Sequence, residues 1–105
     1  MILTIRLSST ALVLWSFCSV ASAQDQALAE AGQTVYSEHC AECHGEELRS
    51  AGSIPDLRTL RADDRSRFNQ VVTEGRGQMP AWGGVLEDSA LDQLWAYIRA
   101  HAVDR

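Results

Sequence analysis

The chain has 105 residues, of which 46% are hydrophobic and 22% are charged, and its formal net charge is −5. This length is enough for one small domain, and the apolar content excludes a collagen-like or a charge-rich disordered chain. All nine basic side chains are arginines, against 14 acidic side chains. This balance lacks the basic face that a nucleic-acid-binding protein needs, so we expect no nucleic-acid partner.

The first 23 residues differ from the rest of the chain. Arg6 precedes an apolar run over residues 11–20, and the small residues 21–23 follow it. A positive start, a short apolar run and an A-x-A end are typical of a secretory signal peptide. An N-terminal membrane anchor is the alternative, but the run is short for a hydrocarbon core of about 30 Å. A lipidated chain is disfavoured because bulky Phe17 precedes Cys18.

We therefore predict cleavage after Ala23, export to the periplasm, and a mature domain over residues 24–105 without stable membrane insertion. The mature chain would have 82 residues and a net charge of −6, with only 20 apolar side chains that are neither Ala nor Cys. Domains of this size usually need a staple. Its two cysteines, Cys40 and Cys43, lie too close in sequence for a disulfide to join distant segments. Another stabilising group is therefore needed.

The first predicted helix runs from Ala27 to about Cys43, with Glu30 near the positive end of its dipole. Gly32 lies inside this helix and costs about 1 kcal/mol relative to alanine. This glycine indicates close approach by another helix.

The end of this helix carries a C-x-x-C-H motif, Cys40-Ala41-Glu42-Cys43-His44, which is the attachment pattern of c-type haem. Two thiols at this spacing reach both vinyl groups on one porphyrin edge, and the adjacent imidazole then lies beneath the iron. A structural zinc site needs four Cys or His ligands in paired spacing. A thioredoxin-type redox pair would follow a strand, and no strand pattern precedes Cys40. The motif predicts one haem c, bound through two thioethers, with His44 as the proximal iron ligand.

The middle of the chain predicts a loop and a second helix. Residues 45–62 lack periodicity and are expected to wrap the haem. Asp63 or Asp64 is expected to cap a helix that ends at Glu74, with Gly75 as its stop.

Met79 is predicted as the second axial ligand by elimination. Electron-transfer haems usually take Met or a second His opposite the first His, and Met79 is the only methionine after residue 23. It lies in a polar, glycine-rich loop rather than on an apolar helical stripe, where methionine is more often core filler. Trp82, three residues later, is predicted either as a core aromatic residue or as a cover for the haem on the Met79 side that helps to exclude water.

The third helix is predicted over residues 88–100, where Leu91, Leu94, Trp95 and Ile98 follow a helical repeat. Trp95 and Tyr97 are therefore interpreted as core aromatic residues. We expect the remaining mature histidines on the surface. His39 is tied to the proximal side of the porphyrin by Cys40, and His101 lies near the end of this helix, where a cation is favourable.

With these residues the chain resembles a class I cytochrome c over essentially all of residues 24–105. The resemblance implies an all-α fold, with three main helices wrapped around one covalently bound haem. It implies that Gly32 and Tyr36 of the first helix cross Leu94 and Tyr97 of the last. It also implies that the carbonyl of Pro55 accepts the N–H of the proximal imidazole, which would fix the ring and raise its basicity.

A narrower similarity is to the cytochrome domain of quinohaemoprotein alcohol dehydrogenases, through the motif, the segment 52–58 and Met79-Pro80. It implies a quinoprotein dehydrogenase as an electron donor, with a terminal oxidase or another cytochrome as acceptor. The chain lacks the quinone-binding propeller of those enzymes, so we expect no dehydrogenase site and no enzymatic activity of its own.

The predicted function is the transport of single electrons in the periplasm, because iron held by His44 and Met79 has no open position for a substrate. Two alternatives stay open. One is an obligate electron-transfer subunit of a larger oxidoreductase. The other is a haem enzyme or gas-binding protein in which Met79 does not bind iron.

Overall fold

The computed structural model describes residues 18–103, so most of the predicted signal peptide lies outside the described residues. The α-helices are α1 (Cys18–His39), α2 (Ala41–His44), α3 (Arg65–Glu74) and α4 (Asp88–Ala100). Short 3₁₀ turns cover Glu46–Leu48, Leu57–Thr59 and Ala62–Asp64. Residues 18–103 contain no strand, which confirms the all-α prediction.

The first predicted helix is present, but it is divided at Cys40. α1 extends through the predicted cleavage position after Ala23 and ends at His39. Cys40 has φ −119° and ψ −33°, and its N–H donates to the carbonyl of Tyr36 at 2.8 Å. α2 is a single turn, closed by the N–H of His44 on the carbonyl of Cys40 at 2.9 Å. The C-x-x-C-H segment is therefore a separate turn attached to the end of α1.

α1 and α4 cross at Gly32, as predicted. A Cβ atom on Gly32 would lie 1.9 Å from the carbonyl oxygen of Gln93 and 2.9 Å from Cβ of Tyr97. One turn further along α1, the ring centroids of Tyr36 and Tyr97 lie 5.3 Å apart. Because no side chain separates the backbones at Gly32, the two helices approach closely enough to bury these aromatic rings.

α3 begins and ends where the sequence predicts, but its cap is made differently. Its N-cap is Asp64, but the Asp64 carboxylate accepts the backbone N–H of Arg61 at 2.8 Å and caps the preceding 3₁₀ turn instead of α3. Gly75 ends the helix with φ +78°, donating its N–H to the carbonyl of Val71 at 2.8 Å. This left-handed conformation favours glycine.

The core lies between α1, α3 and α4. Its buried side chains are Tyr36, Leu48, Phe68, Val72, Leu91, Leu94, Tyr97 and Ile98. The predicted core position of Tyr97 is confirmed, whereas Trp95 is half-buried and packs on Phe68 with 5.1 Å between ring centroids. Arg65 of α3 lies over the Trp95 ring and pairs with Asp92 of α4, so it covers the outer edge of this contact.

None of the helices between residues 18 and 103 combines the length and the apolar character that a membrane span requires.

Candidate haem site

The two motif cysteines are free thiols in different environments. Cys40 is half-buried and packs against the core, and Cys43 is exposed. Burial raises the pKa of the Cys40 thiol to about 11, with a further contribution from the neighbouring Cys43. A redox-active or nucleophilic cysteine needs a depressed pKa to be a thiolate at neutral pH. The environment of Cys40 therefore disfavours thioredoxin-type chemistry.

His44 is the last residue of α2 and is half-buried. Its ring atom Nδ1 is buried and has no hydrogen-bond partner within the described part of the chain. The hydrogen bond to the carbonyl of Pro55, which the resemblance implied, is therefore not formed. Pro55 follows an exposed turn over residues 51–54 and is itself exposed, so the chain is not anchored there.

Hydrogen bonds hold the chain in place from Asp56 onward. The Asp56 carboxylate accepts two hydrogen bonds from the Arg58 side chain, at 3.0 and 2.8 Å, and this pairing holds the pKa of Asp56 below its ordinary value. The carbonyl of Arg58 accepts the N–H of Val103, and Arg99 donates to the carbonyl of Leu60 at 2.6 Å. These bonds attach the loop to the end of α4.

Tyr36 holds the other side of the C-x-x-C-H turn. Its side chain is 1% exposed, and its hydroxyl donates to the carbonyl of Gly45 at 2.5 Å. Gly45 directly follows His44 and has φ +85°, and a Cβ atom there would lie 2.1 Å from the carbonyl oxygen of Arg49. The turn that carries His44 is thus tied to the buried crossing of α1 and α4. The resemblance implied that Tyr36 lies at the helix crossing, but this hydrogen bond could not be predicted, because residue spacing does not reveal where a hydroxyl points.

Met79 lies in the segment 75–83, named the Met79 loop below. Met79 pairs with Arg76 through two backbone hydrogen bonds of 3.0 and 3.1 Å. The loop leaves α3 at Gly75, where a Cβ atom would lie 2.8 Å from the carbonyl oxygen of Met79. It returns to α3 where the N–H of Trp82 donates to the carbonyl of Val72 at 2.8 Å. The loop is therefore closed on the last turn of α3.

The Met79 loop and the cysteine motif meet through two aromatic side chains. The Trp82 ring packs on the ring of His39, with 5.0 Å between centroids. The side chain of His39 is 26% exposed, so it is only partly at the surface. Met79 and Cys40 also pack against the same buried cluster. His101, in contrast, is exposed at the end of α4, as expected.

The arrangement fits a covalently bound haem. It offers two free thiols at the required spacing, an imidazole with an unpartnered buried nitrogen, and a half-buried thioether on a closed loop. His/Met ligation suits an electron-transfer haem.

Comparisons with known proteins support this chemistry. The family model described as "Cytochrome C oxidase, cbb3-type, subunit III" matches residues 27–98. The chain is 39% identical over 84 residues to a cbb3-type cytochrome c oxidase subunit CcoP of Azospirillum brasilense, covering 70% of this chain and 28% of that protein. It is 34% identical over 85 residues to the quinohemoprotein alcohol dehydrogenase ADH-IIG of Pseudomonas putida, covering 77% of this chain and 12% of the enzyme.

A third relative is close to this chain in size. Cytochrome c6 of Bryopsis maxima is 32% identical over 79 residues, which cover 66% of this chain and 86% of the relative. By contrast, the chain spans only 28% to 35% of the length of the first three cbb3-type subunits it matches. No solved structure matches significantly. The shared part thus corresponds to a single small module within the larger relatives.

Proposed function

Because the chain belongs to the cytochrome c family whose model is described as cbb3-type cytochrome c oxidase subunit III, we propose that it carries single electrons between redox proteins as a periplasmic monohaem cytochrome. The observation that carries this proposal is the C-x-x-C-H turn at the end of α1, with the Met79 loop packed beside it through Trp82 and His39. The class I fold and the resemblance to quinohaemoprotein cytochrome domains agree with the relatives found.

In this proposal Cys40 and Cys43 would hold one haem c through thioethers, and His44 and Met79 would bind its iron. When bound, the haem supplies an iron that accepts and releases one electron. The chain's residues set its surroundings: the soft Met79 sulfur favours the ferrous state, and Trp82 helps to exclude water. The hydrogen bond from Tyr36 to Gly45 fixes the turn that carries His44.

Replacing Met79 by alanine tests the ligand assignment. We expect the ferric wild-type holoprotein to show the weak far-red absorption band of Met–iron coordination, and its ferrous spectrum to be unchanged by carbon monoxide. Met79→Ala should lose the band and bind carbon monoxide readily, since the iron then has an open position. Gln78→Ala, which truncates the exposed neighbour, should behave as the wild type. Ready binding of carbon monoxide by the wild type would contradict the carrier proposal and favour the gas-binding or enzymatic alternative.

Export and processing are part of the same proposal. The predicted cleavage after Ala23 gives a mature domain over residues 24–105, and the intact mass of the periplasmic protein tests this. A mass that retains residues 1–23 would contradict the signal-peptide assignment. The difference in intact mass between this protein and an apoprotein lacking both cysteines would give the number of attached haems.

A second candidate is an electron-transfer subunit of a larger oxidoreductase. The observation that favours it is that several relatives contain the matching part within an oxidase subunit or an alcohol dehydrogenase. Those names make a quinoprotein dehydrogenase and a terminal oxidase the partner classes that we propose to test, as donor and acceptor. Native size and co-purification from the periplasm distinguish the two candidates: a free carrier elutes as a small protein, and an obligate subunit elutes with its enzyme.

A further inference from the structure

The Met79 loop is attached to α3 at both ends. Gly75 donates to Val71 at 2.8 Å where the loop leaves the helix, and Gly83 donates to the carbonyl of Thr73 at 3.2 Å where it returns. A Cβ atom on Gly83 would lie 2.8 Å from the Thr73 methyl group, so this attachment is close. Both attachments are to the last turn of α3, so the loop can move as a unit about that turn unless it is also held to another helix.

The His39–Trp82 ring pair joins the returning end of the loop to the end of α1. The backbone of His39 is fixed by α1, and the following residue, Cys40, donates to the carbonyl of buried Tyr36. The Trp82 carbonyl accepts the N–H groups of Val85 and Leu86 at 2.9 and 2.8 Å. The two rings are thus presented by backbones that hydrogen bonds fix on each side, and their centroids lie 5.0 Å apart at an interplanar angle of 59°. A tilted ring pair at this distance is attractive beyond the apolar area that it buries.

We infer that His39 is a positioning residue for Met79, acting through Trp82. The inference rests on the proposed function, in which Met79 binds the iron. The His39 ring keeps Trp82 against the end of α1, and the Trp82 backbone then keeps the Met79 loop closed over the ligand side of the haem. Loss of the ring pair should raise the open population of the loop and leave the closed geometry unchanged. The expected increase is roughly 2- to 10-fold, from the usual strength of an aromatic pair.

The experiment measures how fast the loop opens. Binding of cyanide to the ferric holoprotein, at cyanide concentrations high enough that the rate no longer depends on cyanide, reports the opening that frees the iron from Met79. We expect His39→Ala to accelerate this rate, and His39→Phe, which keeps a ring at the position, to restore it. The ferric far-red band should persist in both variants, since the closed state retains Met79 on the iron.

His101→Ala is the matched control. His101 forms a similar ring pair with Tyr97, at 4.7 Å between centroids, on the end of α4. Its removal should lower the free energy of unfolding in urea without changing the cyanide rate. Equal cyanide rates in wild type and His39→Ala, or equal acceleration by His39→Ala and His101→Ala, would overturn the inference. A wild-type protein that lacks the far-red band would instead reject the proposed function, so the two failures are distinguishable.

Discussion

The Tyr36 hydroxyl connects the buried crossing of α1 and α4 to the turn that carries His44. Its ring packs on Tyr97 in the core, and its oxygen reaches the Gly45 carbonyl. Burial, together with the nearby Cys40 and Tyr97, raises the pKa of Tyr36 to about 12, against an ordinary value of 10. The Tyr36 side chain therefore contributes to core packing, to the position of the turn that carries His44 and to the response of stability to pH.

Tyr36→Phe should remove this bond while keeping the ring. At neutral pH we expect a loss of about 1 kcal/mol in the free energy of unfolding, because the Gly45 carbonyl loses its donor. As pH rises above 10 the unfolded wild type releases the Tyr36 proton, whereas burial, the largest cause of the raised pKa, keeps the proton on the folded protein, so wild-type stability falls. Urea denaturation of the holoprotein at several pH values should show a smaller fall in Tyr36→Phe.

Trp95→Phe serves as the control, since it alters the core without removing a titrating hydroxyl and should keep the wild-type pH dependence. Burial also raises the pKa of Tyr97, so we attribute to Tyr97 any fall in stability with rising pH that remains in Tyr36→Phe. Identical slopes in wild type and Tyr36→Phe would show that the Tyr36 hydroxyl proton is not linked to folding.

The candidate haem-binding residues could be proposed from the sequence. Cys40, Cys43 and His44 follow from the reach of two thiols to one porphyrin edge, and Met79 follows from the short list of axial ligands. The His39–Trp82 contact could not be predicted, because it joins residues far apart in sequence through a loop without periodicity. The hydrogen bond from His44 to the carbonyl of Pro55 was expected from resemblance alone. It is not formed, since Nδ1 of His44 has no partner among the described residues and Pro55 is exposed.

At the scale of the elements, the crossing of α1 and α4 depends on Gly32. Alanine is the better helix former by about 1 kcal/mol, so Gly32→Ala would stabilise an isolated α1. In the folded protein its methyl group would meet the Gln93 carbonyl at 1.9 Å. A backbone group cannot turn aside as a flexible side chain can, and overpacking of this kind costs typically 1–3 kcal/mol or more. The clash therefore outweighs the gain in helix propensity.

We expect Gly32→Ala to lower the free energy of unfolding by about 2 kcal/mol and to weaken the contact between Tyr36 and Tyr97. Thermal and urea unfolding of the holoprotein measure the first effect. Gly84→Ala is the control, because a Cβ atom at Gly84 meets nothing within 4 Å, and it should change stability by less than about 0.5 kcal/mol. A neutral Gly32→Ala would mean that the two helices can separate without cost.

The elements were predictable where one physical signal acts along the whole segment. The apolar repeat of α4 is uninterrupted, and the observed helix, Asp88–Ala100, matches the predicted range 88–100. The division of the first helix at Cys40 was missed, because Cys40 still donates to Tyr36 as a helical residue would. The start of α3 after Asp64 was predicted, but the role of the Asp64 carboxylate was not, because it caps the preceding 3₁₀ turn, a local choice that helix-start residues do not distinguish.

At the scale of the whole molecule, the negative charge is unevenly distributed. Residues 24–48 contain six acidic residues and no arginine or lysine, whereas residues 49–105 contain eight acidic residues and eight arginines. Four of the six acids lie within residues 38–47, around the exposed Cys43. Arginine ion pairs neutralise mostly acids beyond residue 48, such as Asp56, Asp64 and Asp92. The net charge of −6 over residues 24–105 therefore comes from residues 24–48, which include the C-x-x-C-H motif.

This distribution should control the approach of charged redox reagents to the haem edge at Cys43. We expect oxidation of the ferrous holoprotein by the trication tris(phenanthroline)cobalt(III) to slow as salt rises, because screening weakens its attraction to the acidic residues. Oxidation by the anion ferricyanide should accelerate, because screening weakens its repulsion. The double variant Glu42→Gln/Glu46→Gln should slow the cationic reaction at low salt by at least about 2-fold.

The control variant Asp25→Asn/Glu30→Gln removes the same amount of charge from α1. Glu30 lies nine residues before His39, about 14 Å along the helix. At 0.1 M salt, where screening acts over about 10 Å, this control should therefore slow the cationic reaction less than Glu42→Gln/Glu46→Gln does. Equal slowing by both double variants would show that total charge, rather than the glutamates around Cys43, governs the approach.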